Sequence, residues 1–291
     1  MEAEAEIGVV IRTLDEAELI GACLEALRRQ RGPFELDVLV VDSGSEDATM
    51  EIARSHGART FELPPGEFDY SRSLNAGIER VRGSLVLILS AHTVPVDDEW
   101  VARMVAPFAD ERVAAVASRQ VPWPDAPWRE VLRISRQFGK ARREYSAGDA
   151  YEIVYSNAAS CIRRSVWLEE PFTLPAAEDL EWARRVVAAG RTVVYEPAAA
   201  AYHSHRESPR AQALRLIDIS RVDAAAGPRT RRRTLREAAG LFYRDARAIL
   251  GLEEPPRRKL AHLAELLRVV GWYVADFSRS GTTAERRRAD S

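Results

Sequence analysis

The sequence predicts an α/β fold in which a mostly parallel sheet is flanked by helices and followed by a helical extension. Apolar runs typical of strands alternate with helical patterns between residues 7 and 197, an order that favours right-handed βαβ units. Residues 206–280 have helical patterns only. A chain of 291 residues, of which 46% are hydrophobic and 30% charged, can bury a large core and carry an appendage.

The first half of the predicted sheet begins with the run IGVVIRT at residues 7–13. A helix is predicted from Asp15, because Asp15 and Glu18 match a capping box and apolar residues recur after them at helical spacing. The elements expected next are a strand at 36–42, a helix from about residue 46, a strand at 59–63, a helix at 71–81 and a strand at 84–90.

The second half continues the alternation with a helix at 98–108, a strand at 113–118, a helix at 129–145, a short strand at 151–155, a helix from residue 178 and a strand at 192–197. Between them, the stretch VPWPDAPW is predicted to be a loop, because its prolines interrupt regular structure. Gly227-Pro228 and Glu254-Pro255-Pro256 should break the C-terminal helices. We therefore predict one domain over residues 1–205 and a basic helical extension over 206–291, with a disordered end.

Charge is distributed unevenly along the chain. The formal net charge is -2, yet residues 206–291 contain 19 Lys or Arg against 11 Asp or Glu. Such a region can attract phosphate, an acidic polymer or an anionic membrane, or it can be a solvated helical face. Cys23 and Cys161 lie in apolar segments, as expected of reduced core thiols in a cytoplasmic protein. Since no signal peptide and no spanning segment is predicted, any membrane contact is expected to be peripheral.

Polar residues follow three of the predicted strands, at the ends where open α/β sheets bind ligands. They are Arg12 and Thr13 after the first strand, residues 42–45 after the second, and residues 90–92 after the run LVLILS. The sequence contains neither GxGxxG nor GxxxxGK[ST], which disfavours the dinucleotide-binding and P-loop classes.

Several ordered blocks resemble the inverting glycosyltransferases of family 2, which have the GT-A fold, a Rossmann-like α/β architecture. The blocks cover roughly residues 7–205 and read VVIRTLDEAELIGACLEAL, VLVVDSGSEDAT, FDYSRSLNAG, LVLILSAHTVP, AEDLEWARR and VYEPAAAAYHSH. Their order and spacing look most similar to the branch of rhamnosyltransferase-like enzymes from bacteria. The resemblance implies transfer of a sugar from a nucleoside diphosphate to an acceptor hydroxyl, with inversion at the anomeric carbon.

Nucleotide-binding residues follow from this resemblance, which places them at Thr13, Asp42, Arg72, Asn75 and Ser90. Asp42 would accept a hydrogen bond from the ring NH of uracil or thymine or from a ribose hydroxyl. Alternatively, Asp42 caps the next helix, although Ser45 can do so instead. Arg72 lies one turn before Asn75, where it can reach a phosphate with a forked guanidinium or remain a surface arginine.

The resemblance also implies a metal motif that this chain has altered. Family members usually end this strand with Asp-x-Asp, which binds a divalent ion, whereas Ser90 and His92 occupy those positions here. Three interpretations remain: His92 and His203 are metal ligands, with His205 a weaker candidate; His92 donates directly to the diphosphate in a metal-independent enzyme; or His92 has only structural partners. The predicted cofactor is a divalent cation, Mn²⁺ or Mg²⁺, and imidazole ligands favour Mn²⁺, Fe²⁺ or Zn²⁺ over Mg²⁺.

The acid pair Glu178-Asp179 begins the predicted helix EDLEWARRVVAAG. Carboxylates are favoured at a helix N-terminus by the helix dipole whatever their function. The resemblance places the catalytic base at Asp179, with Glu178 as its neighbour and Arg185 in the recurring pattern. Inversion requires one carboxylate that takes the proton of the attacking hydroxyl.

These observations predict a glycosyltransferase of cell-envelope polysaccharide synthesis, cytoplasmic or peripheral on the inner face of the membrane. The expected donor is a UDP- or dTDP-sugar, and the acceptor is a glycan, a lipid-linked carrier or a small molecule; no nucleic-acid partner is expected. The tryptophans of VPWPDAPW and residues 68–70 are candidates for acceptor contact. The alternatives are a non-catalytic nucleotide- or glycan-binding protein and a sugar nucleotidyltransferase, although the first strand lacks the Gly-rich basic loop that a triphosphate needs.

Overall fold

The computed structural model describes residues 5–150, 152–205, 208, 210, 211, 213, 214, 216 and 231–276. The chain divides into two compact units. The first consists of Met1–Ala126 and Arg133–Ser204, and the second of Pro127–Leu132 and His205–Ser291. The functional division expected from the sequence, a catalytic domain before residue 206 and a basic extension after it, stays a prediction.

One sheet organises the first unit. In the described part of the chain its strands are β1 (Ala5–Thr13), β2 (Phe34–Asp42), β3 (Arg59–Glu62), β4 (Leu85–Ser90), β5 (Val94–Pro95), β6 (Val113–Val121), β7 (Arg143–Tyr145), β8 (Ala159–Arg163) and β9 (Thr192–Tyr202). Their order is β3-β2-β1-β4-β8-β6-β9-β5, and β7 also pairs with β9. The neighbours β2, β1 and β4 bring three strand ends to the same edge of the sheet.

The sheet contains both parallel and antiparallel pairs. β3, β2, β1 and β4 run parallel, as do β6 and β9. β8 lies antiparallel between β4 and β6, and β5 and β7 pair antiparallel with β9. The α/β fold class is confirmed, while the expectation of parallel strands holds for β1–β4 and for the pair β6 and β9.

Helices cover both faces of this sheet. They are α1 (Ile20–Arg28), α2 (Thr49–Ser55), α3 (Tyr70–Arg80), α4 (Trp100–Val105), α5 (Trp128–Gln137), α6 (Arg164–Glu169) and α7 (Glu178–Ala188). Val10 belongs to one core cluster and its neighbours Val9 and Ile11 to the other, because successive side chains of a strand point to opposite faces. Trp182 of α7 fills the first cluster and Trp100 of α4 the second. Cys23 and Cys161 are buried free thiols, as predicted.

The segment between β6 and α7 differs most from the prediction. The helix expected at 129–145 ends at Gln137, and Arg143–Tyr145 form β7 against β9. Residues 152–155 form no strand, whereas β8 and α6 were not predicted. β8 begins Ala159-Ser160, residues of weak strand propensity, so its pairing with β4 and β6 rather than local preference forms it. The other strands and helices expected before residue 205 are confirmed with shifted ends.

The loop between β1 and α1 was wrongly predicted as the start of a helix. α1 begins at Ile20, and Asp15 has a left-handed backbone (φ 52°). The Asp15 carboxylate accepts from the backbone N–H of Glu46 at 2.8 Å, and its own N–H donates to Oγ of Ser45 at 2.9 Å. Asp15 therefore fastens this loop to the loop after β2 instead of capping α1.

In the second unit two helices form a small packed pair. They are α8 (Arg231–Leu250) and α9 (Pro256–Asp276), and the predicted break at Glu254-Pro255-Pro256 separates them. Ala238 packs with Val269 and Tyr273, whose hydroxyl donates to Glu237 at 3.0 Å. The break expected at Gly227-Pro228 and the expected disordered end lie outside the described residues. Among the helices of the described ranges, none has the length and apolar character needed to cross a bilayer.

Candidate active site

Three neighbouring strands end at one edge of the sheet and carry the residues predicted to bind nucleotide. Thr13 of β1 is the register partner of Asp42 in β2, and Arg12 is the partner of Ser90 in β4. Because adjacent strands lie about 4.8 Å apart, the backbones of these four residues lie side by side at the ends of the strands. This is the edge where ligands bind in open α/β sheets.

Asp42 is buried and organises the loop that follows β2. Its Oδ2 accepts from the backbone N–H groups of Gly44 (3.0 Å) and Ser45 (2.9 Å), and its Oδ1 accepts from Oγ of Ser45 at 2.5 Å. The alternative of Asp42 as helix cap is wrong, because α2 begins only at Thr49 and Ala48 is its first flanking residue. A carboxylate has about four acceptor positions, so Asp42 retains capacity for a ligand N–H or O–H. Its contact with a nucleoside stays a prediction.

At this edge, Arg12 and Thr13 have buried polar atoms for which the described residues provide no hydrogen-bond partner. Thr13 is 4% exposed, and its Oγ1 is buried without a hydrogen-bond partner in the described ranges. The same holds for Nε and Nη1 of Arg12. The Arg12 guanidinium lies 4.8 Å from the ring centroid of Tyr70, and its Nη1 lies 3.6 Å from Oε1 of Glu178.

The acid pair lies at the N-terminus of α7, as predicted, and is held by Asn157. The Asn157 side chain donates to Oε1 of Glu178 at 3.4 Å, and its backbone N–H donates to Oδ2 of Asp179 at 3.3 Å. The preceding residue, Ala177, has a left-handed backbone (φ 55°), which costs a non-glycine residue about 1–2 kcal/mol. The strained backbone of Ala177 and the hydrogen bonds from Asn157 together define the position of the acid pair at the start of α7.

Burial changes the acidity of both carboxyl groups. The pKa of Glu178 is raised to about 7, chiefly by desolvation and further by the charge of Asp179, while the charge of Arg12 opposes the shift. Burial likewise raises the pKa of Asp179, against the hydrogen bond from Leu180 and the charge of Arg12. Because the two groups interact, their protons belong to the pair. The pair combines a partly exposed carboxyl, Asp179, with a deeply buried one, Glu178, so a proton can reside on it near neutral pH.

His92 and His203 come together although they are far apart in sequence. His92 lies in the turn after β4 and His203 directly after β9, and their stacked rings have centroids 4.9 Å apart. Nδ1 of His92 lies 2.6 Å from Oε1 of Glu16, and Nδ1 of His203 lies 2.9 Å from Oε1 of Gln120. Candidate ligand atoms of His92 and His203 lie within 4.8 Å of each other.

The imidazole nitrogens of His92 and His203 fit a divalent transition-metal ion. A carboxylate or an amide oxygen only accepts, so the Nδ1 atoms of both rings are donors and Nε2 carries the lone pair. An imidazole whose other nitrogen donates to a carboxylate or amide oxygen is the arrangement commonly found around protein-bound metals. Imidazole nitrogens favour Mn²⁺, Fe²⁺ or Zn²⁺, whereas Mg²⁺ prefers oxygen ligands. The identity of the cation, and whether one is required, stay predictions.

Arg72 and Asn75 have protein partners on α3. The Arg72 side chain is 59% exposed and lies near the carboxylates of Glu67 (3.3 Å) and Asp69 (3.5 Å). Asn75 donates to the carbonyl of Phe172 and accepts from Nε1 of Trp167, both at 2.9 Å. Their predicted contact with nucleotide stays untested, and both groups of the Asn75 amide already have partners.

The candidate acceptor aromatics are divided between the units. In the first unit, Trp123 stacks on Tyr202 with ring centroids 4.9 Å apart, and Phe68 packs edge-to-face on Tyr70. In the second unit, Nε1 of Trp128 donates to Glu265 at 3.1 Å. Tyr70 adjoins Arg12, whose Nη1 lies 3.6 Å from Oε1 of Glu178, so Tyr70 is connected to the acid pair through Arg12.

Sequence reasoning missed four residues that organise this site: Arg12, Glu16, Gln120 and Asn157. Arg12 was noticed at a strand end but was given no role. Glu16 was assigned to the first turn of a helix, and Gln120 lies in a part of β6 beyond the predicted strand. Asn157 precedes β8, which was not predicted. The available signal was the placement of polar residues at strand ends, which is informative only when the strands themselves are found.

Comparison with known proteins adds a family match. The sequence model of the family described as Glycosyl transferase family 2 matches residues 8–168, more than half of the chain. The O-antigen chain rhamnosyltransferase RfbN of Salmonella typhimurium is 26% identical over 224 residues, covering 73% of this chain and 71% of RfbN. The O-antigen chain rhamnosyltransferase WbaN of Salmonella anatum is 26% identical over 190 residues, covering 62% of this chain and 60% of WbaN.

A solved structure shows the same fold. The mannosyltransferase PcManGT from Pyrobaculum calidifontis, in complex with GDP-Man and Mn²⁺, is 19% identical with a TM-score of 0.55. The match covers 98% of this chain and 78% of PcManGT. At this identity the likeness concerns the fold alone, and it confirms the predicted GT-A architecture.

Proposed function

The chain belongs to glycosyl transferase family 2 and is a glycosyltransferase with a nucleotide-sugar donor, and we propose that it inverts the anomeric carbon with Asp179 as the base. The observation that carries this proposal is the 3.6 Å separation between Nη1 of Arg12 and Oε1 of Glu178. Arg12 directly precedes Thr13, the last residue of β1 and a predicted nucleoside contact. The short distance therefore links the acid pair to the end of β1. A donor bound along the strand ends would therefore have the acid pair beside it.

The proposed reaction needs one proton acceptor. Asp179 takes the proton of the acceptor hydroxyl while the acceptor oxygen bonds to the anomeric carbon. The bond from that carbon to the diphosphate oxygen breaks at the same time, and its electron pair leaves with the nucleoside diphosphate. The raised pKa of Asp179 makes this carboxylate more basic than an exposed one, which suits proton abstraction near neutral pH. The backbone N–H groups of Asn157 and Leu180 donate to the Asp179 carboxylate and hold it in place.

The histidine pair would hold a divalent cation on the leaving-group side. His92 and His203 are the proposed ligands, with Mn²⁺ or another transition-metal ion favoured over Mg²⁺ by their nitrogen atoms. When bound, such an ion supplies positive charge to the diphosphate as the leaving group departs. Glu16 and Gln120 fix the orientation of the two rings.

Likeness to RfbN and WbaN supports a narrower proposal for the substrates. Both relatives are named as O-antigen chain rhamnosyltransferases, which favours a rhamnosyl or other hexosyl donor carried by UDP or dTDP. The acceptor would be the growing glycan of a cell-envelope polysaccharide, presented on a lipid carrier. The corresponding location is the cytoplasmic face of the membrane. The alternative of a non-catalytic binding protein is not favoured by this family membership.

A donor screen tests the proposal. Release of nucleoside diphosphate would be measured for UDP-, GDP- and dTDP-sugars with lipid-linked and soluble glycan acceptors, in EDTA and with added Mn²⁺ or Mg²⁺. We expect release from a UDP- or dTDP-sugar, a product with inverted anomeric configuration, and a higher rate with Mn²⁺ than with Mg²⁺. A product that retains the donor configuration would contradict the single-base mechanism.

A further inference from the structure

Arg12 has a guanidinium that is mostly buried and largely unsatisfied. Its side chain is 13% exposed, and no described residue accepts a hydrogen bond from Nε or Nη1. A buried donor without an acceptor is costly, and a buried charge more so, unless a ligand supplies the missing oxygen atoms. The position is therefore explained better by a bound ligand than by the fold alone.

The neighbours of Arg12 orient the guanidinium without satisfying it. Its Cζ lies 4.8 Å from the ring centroid of Tyr70, and Nη1 is 3.6 Å from Oε1 of Glu178, which is beyond a good hydrogen bond. Glu178 balances part of the charge but leaves the N–H groups available. Oγ1 of Thr13, the next residue, is also buried and has no partner among the described residues. Polar donors thus collect at the end of β1.

The strand register indicates which part of the donor would reach Arg12. Arg12 lies opposite Ser90, the last residue of β4, and the turn after Ser90 carries His92. Thr13, on the side of the predicted nucleoside contacts, lies opposite Asp42. Arg12 therefore lies between the proposed nucleoside positions, the proposed leaving-group cation and the acid pair, which is where the diphosphate of the donor belongs.

Another arginine of this region is less suited to the same task. The Arg72 guanidinium is 59% exposed and already lies beside the carboxylates of Glu67 and Asp69. An exposed and paired guanidinium loses little without a ligand. The buried Nε and Nη1 of Arg12 have no acceptor among the described residues and would gain one from a bound diphosphate.

We propose that Arg12 binds the donor diphosphate through Nε and Nη1 and supplies a fixed positive charge to the leaving group. This inference rests on the proposed function, because it requires a nucleoside diphosphate at the strand ends. A guanidinium donates to phosphate oxygens in a forked geometry and stays protonated throughout. Arg12 would hold this charge whether or not the histidines bind a cation.

Calorimetric titration of nucleotides in EDTA tests this role without relying on activity. Arg12→Met keeps the length of the side chain, and we expect it to weaken UDP or dTDP binding about 10- to 100-fold, the loss typical of charge-assisted hydrogen bonds. Binding of uridine or thymidine should be unchanged. Arg12→Lys keeps the charge without the forked geometry, so its affinity for UDP or dTDP should lie between those of the wild type and Arg12→Met. Arg191→Met, which removes a partly exposed arginine paired with Glu169, is the control and should bind like the wild type.

The possible outcomes separate this inference from the proposed function. Unchanged diphosphate binding in both Arg12 variants would overturn the inference and make Arg12 a partner of Glu178 alone. Equal loss of nucleoside and diphosphate binding would also overturn it, since the effect would then not concern the diphosphate. A wild-type protein that binds none of UDP, dTDP and GDP, either in EDTA or with added Mn²⁺, would contradict the proposed function and the inference together. Thermal unfolding checks that each variant is folded. If Arg12→Met does not fold, the comparison is made with Arg12→Lys alone.

Discussion

Nδ1 of His92 and Oε1 of Glu16 lie 2.6 Å apart, in a hydrogen bond that joins the turn after β4 to the loop after β1. The imidazole is the donor, because a carboxylate only accepts. The bond fixes the ring and leaves the lone pair on Nε2, the atom that a metal ion would need. Glu16 therefore acts on the proposed metal site without being one of its ligands.

Glu16→Gln should weaken metal binding about 10- to 100-fold, as expected when the carboxylate partner of a metal-binding imidazole is lost. The measurement is calorimetric titration of the protein with Mn²⁺ and Zn²⁺. Glu46→Gln is the control, because it neutralises an exposed carboxylate in the neighbouring loop. Equal metal affinities for Glu16→Gln and the wild type would show that this hydrogen bond serves only the fold.

His92→Ala and His203→Ala should each abolish stimulation by metal to a similar degree if the two rings share one ion. The double variant should then be little worse than either single variant, because the second substitution removes a ligand from a site that is already lost. Transfer rates with and without EDTA provide the measurement. If activity is indifferent to EDTA and only His92→Ala is harmful, His92 is a direct donor to the diphosphate and the shared-ion proposal fails.

The sequence predicted the parts of this site that have a local signal and missed the contacts between residues far apart in the chain. Thr13, Asp42 and Ser90 stood out because each ends an apolar run, a local signal of a strand end, and the family resemblance then supplied their predicted role. Glu16 lies 76 residues from His92, and Gln120 lies 83 from His203, so their pairing follows from the strand order and not from any local pattern. Resemblance paired His92 with His203, which periodicity alone could not have done.

The fold, too, was predictable only where an element has a local sequence signal. Strands rich in Val, Ile and Leu, such as β1 and β4, combine high strand propensity with burial on both faces, so apolar runs reveal them. β8 and β7 have no such runs: β8 is built largely from small residues, and β7 reads REY. Their pairing partners determine them, and Asn157, just before β8, was missed for the same reason.

Asp179→Asn should lower transfer by a factor of ~10² or more while donor binding persists, because the amide cannot take the acceptor proton. Single-turnover rates and calorimetric titration of the donor measure the two effects separately. Glu178→Gln is the matched control in the same pair, and we expect a smaller loss of rate, since Glu178 is 3% exposed and less accessible to an acceptor. Near-native turnover by Asp179→Asn would place the base elsewhere.

Glu178 should make the protein less stable as pH rises from about 4.5 to about 7. Burial raises the pKa of this carboxyl in the folded state to about 7, from its usual value of 4.5. The folded state therefore binds more protons than the unfolded chain in this window, and its free energy of unfolding falls as they dissociate. Glu178→Gln should flatten the dependence of Tm on pH between 5 and 8. Glu62→Gln, an exposed carboxylate on β3, should follow the wild-type curve; identical curves for all three proteins would exclude this linkage.

An apolar stripe on α9 provides the last prediction. Leu260, Leu267 and Val274 are 66%, 57% and 36% exposed and recur every seven residues, so they share one face of the helix, while Leu266 and Tyr273 are buried on another. The exposed Arg257, Arg258 and Arg268 on the same helix would complement an anionic surface.

We expect this stripe to bind vesicles that contain anionic lipid, more weakly as salt screens the charge. Leu260→Glu combined with Leu267→Glu should weaken binding at least about tenfold, because a leucine that leaves water contributes on the order of 1–3 kcal/mol and a carboxylate is repelled by the lipid. Leu168→Glu, at a leucine of the first unit that is 68% exposed, is the control and should bind like the wild type. Vesicle sedimentation at low and high salt makes the measurement. If the wild type binds no vesicles at low salt but sediments as a dimer that the double variant loses, the stripe is a contact between two copies of the chain.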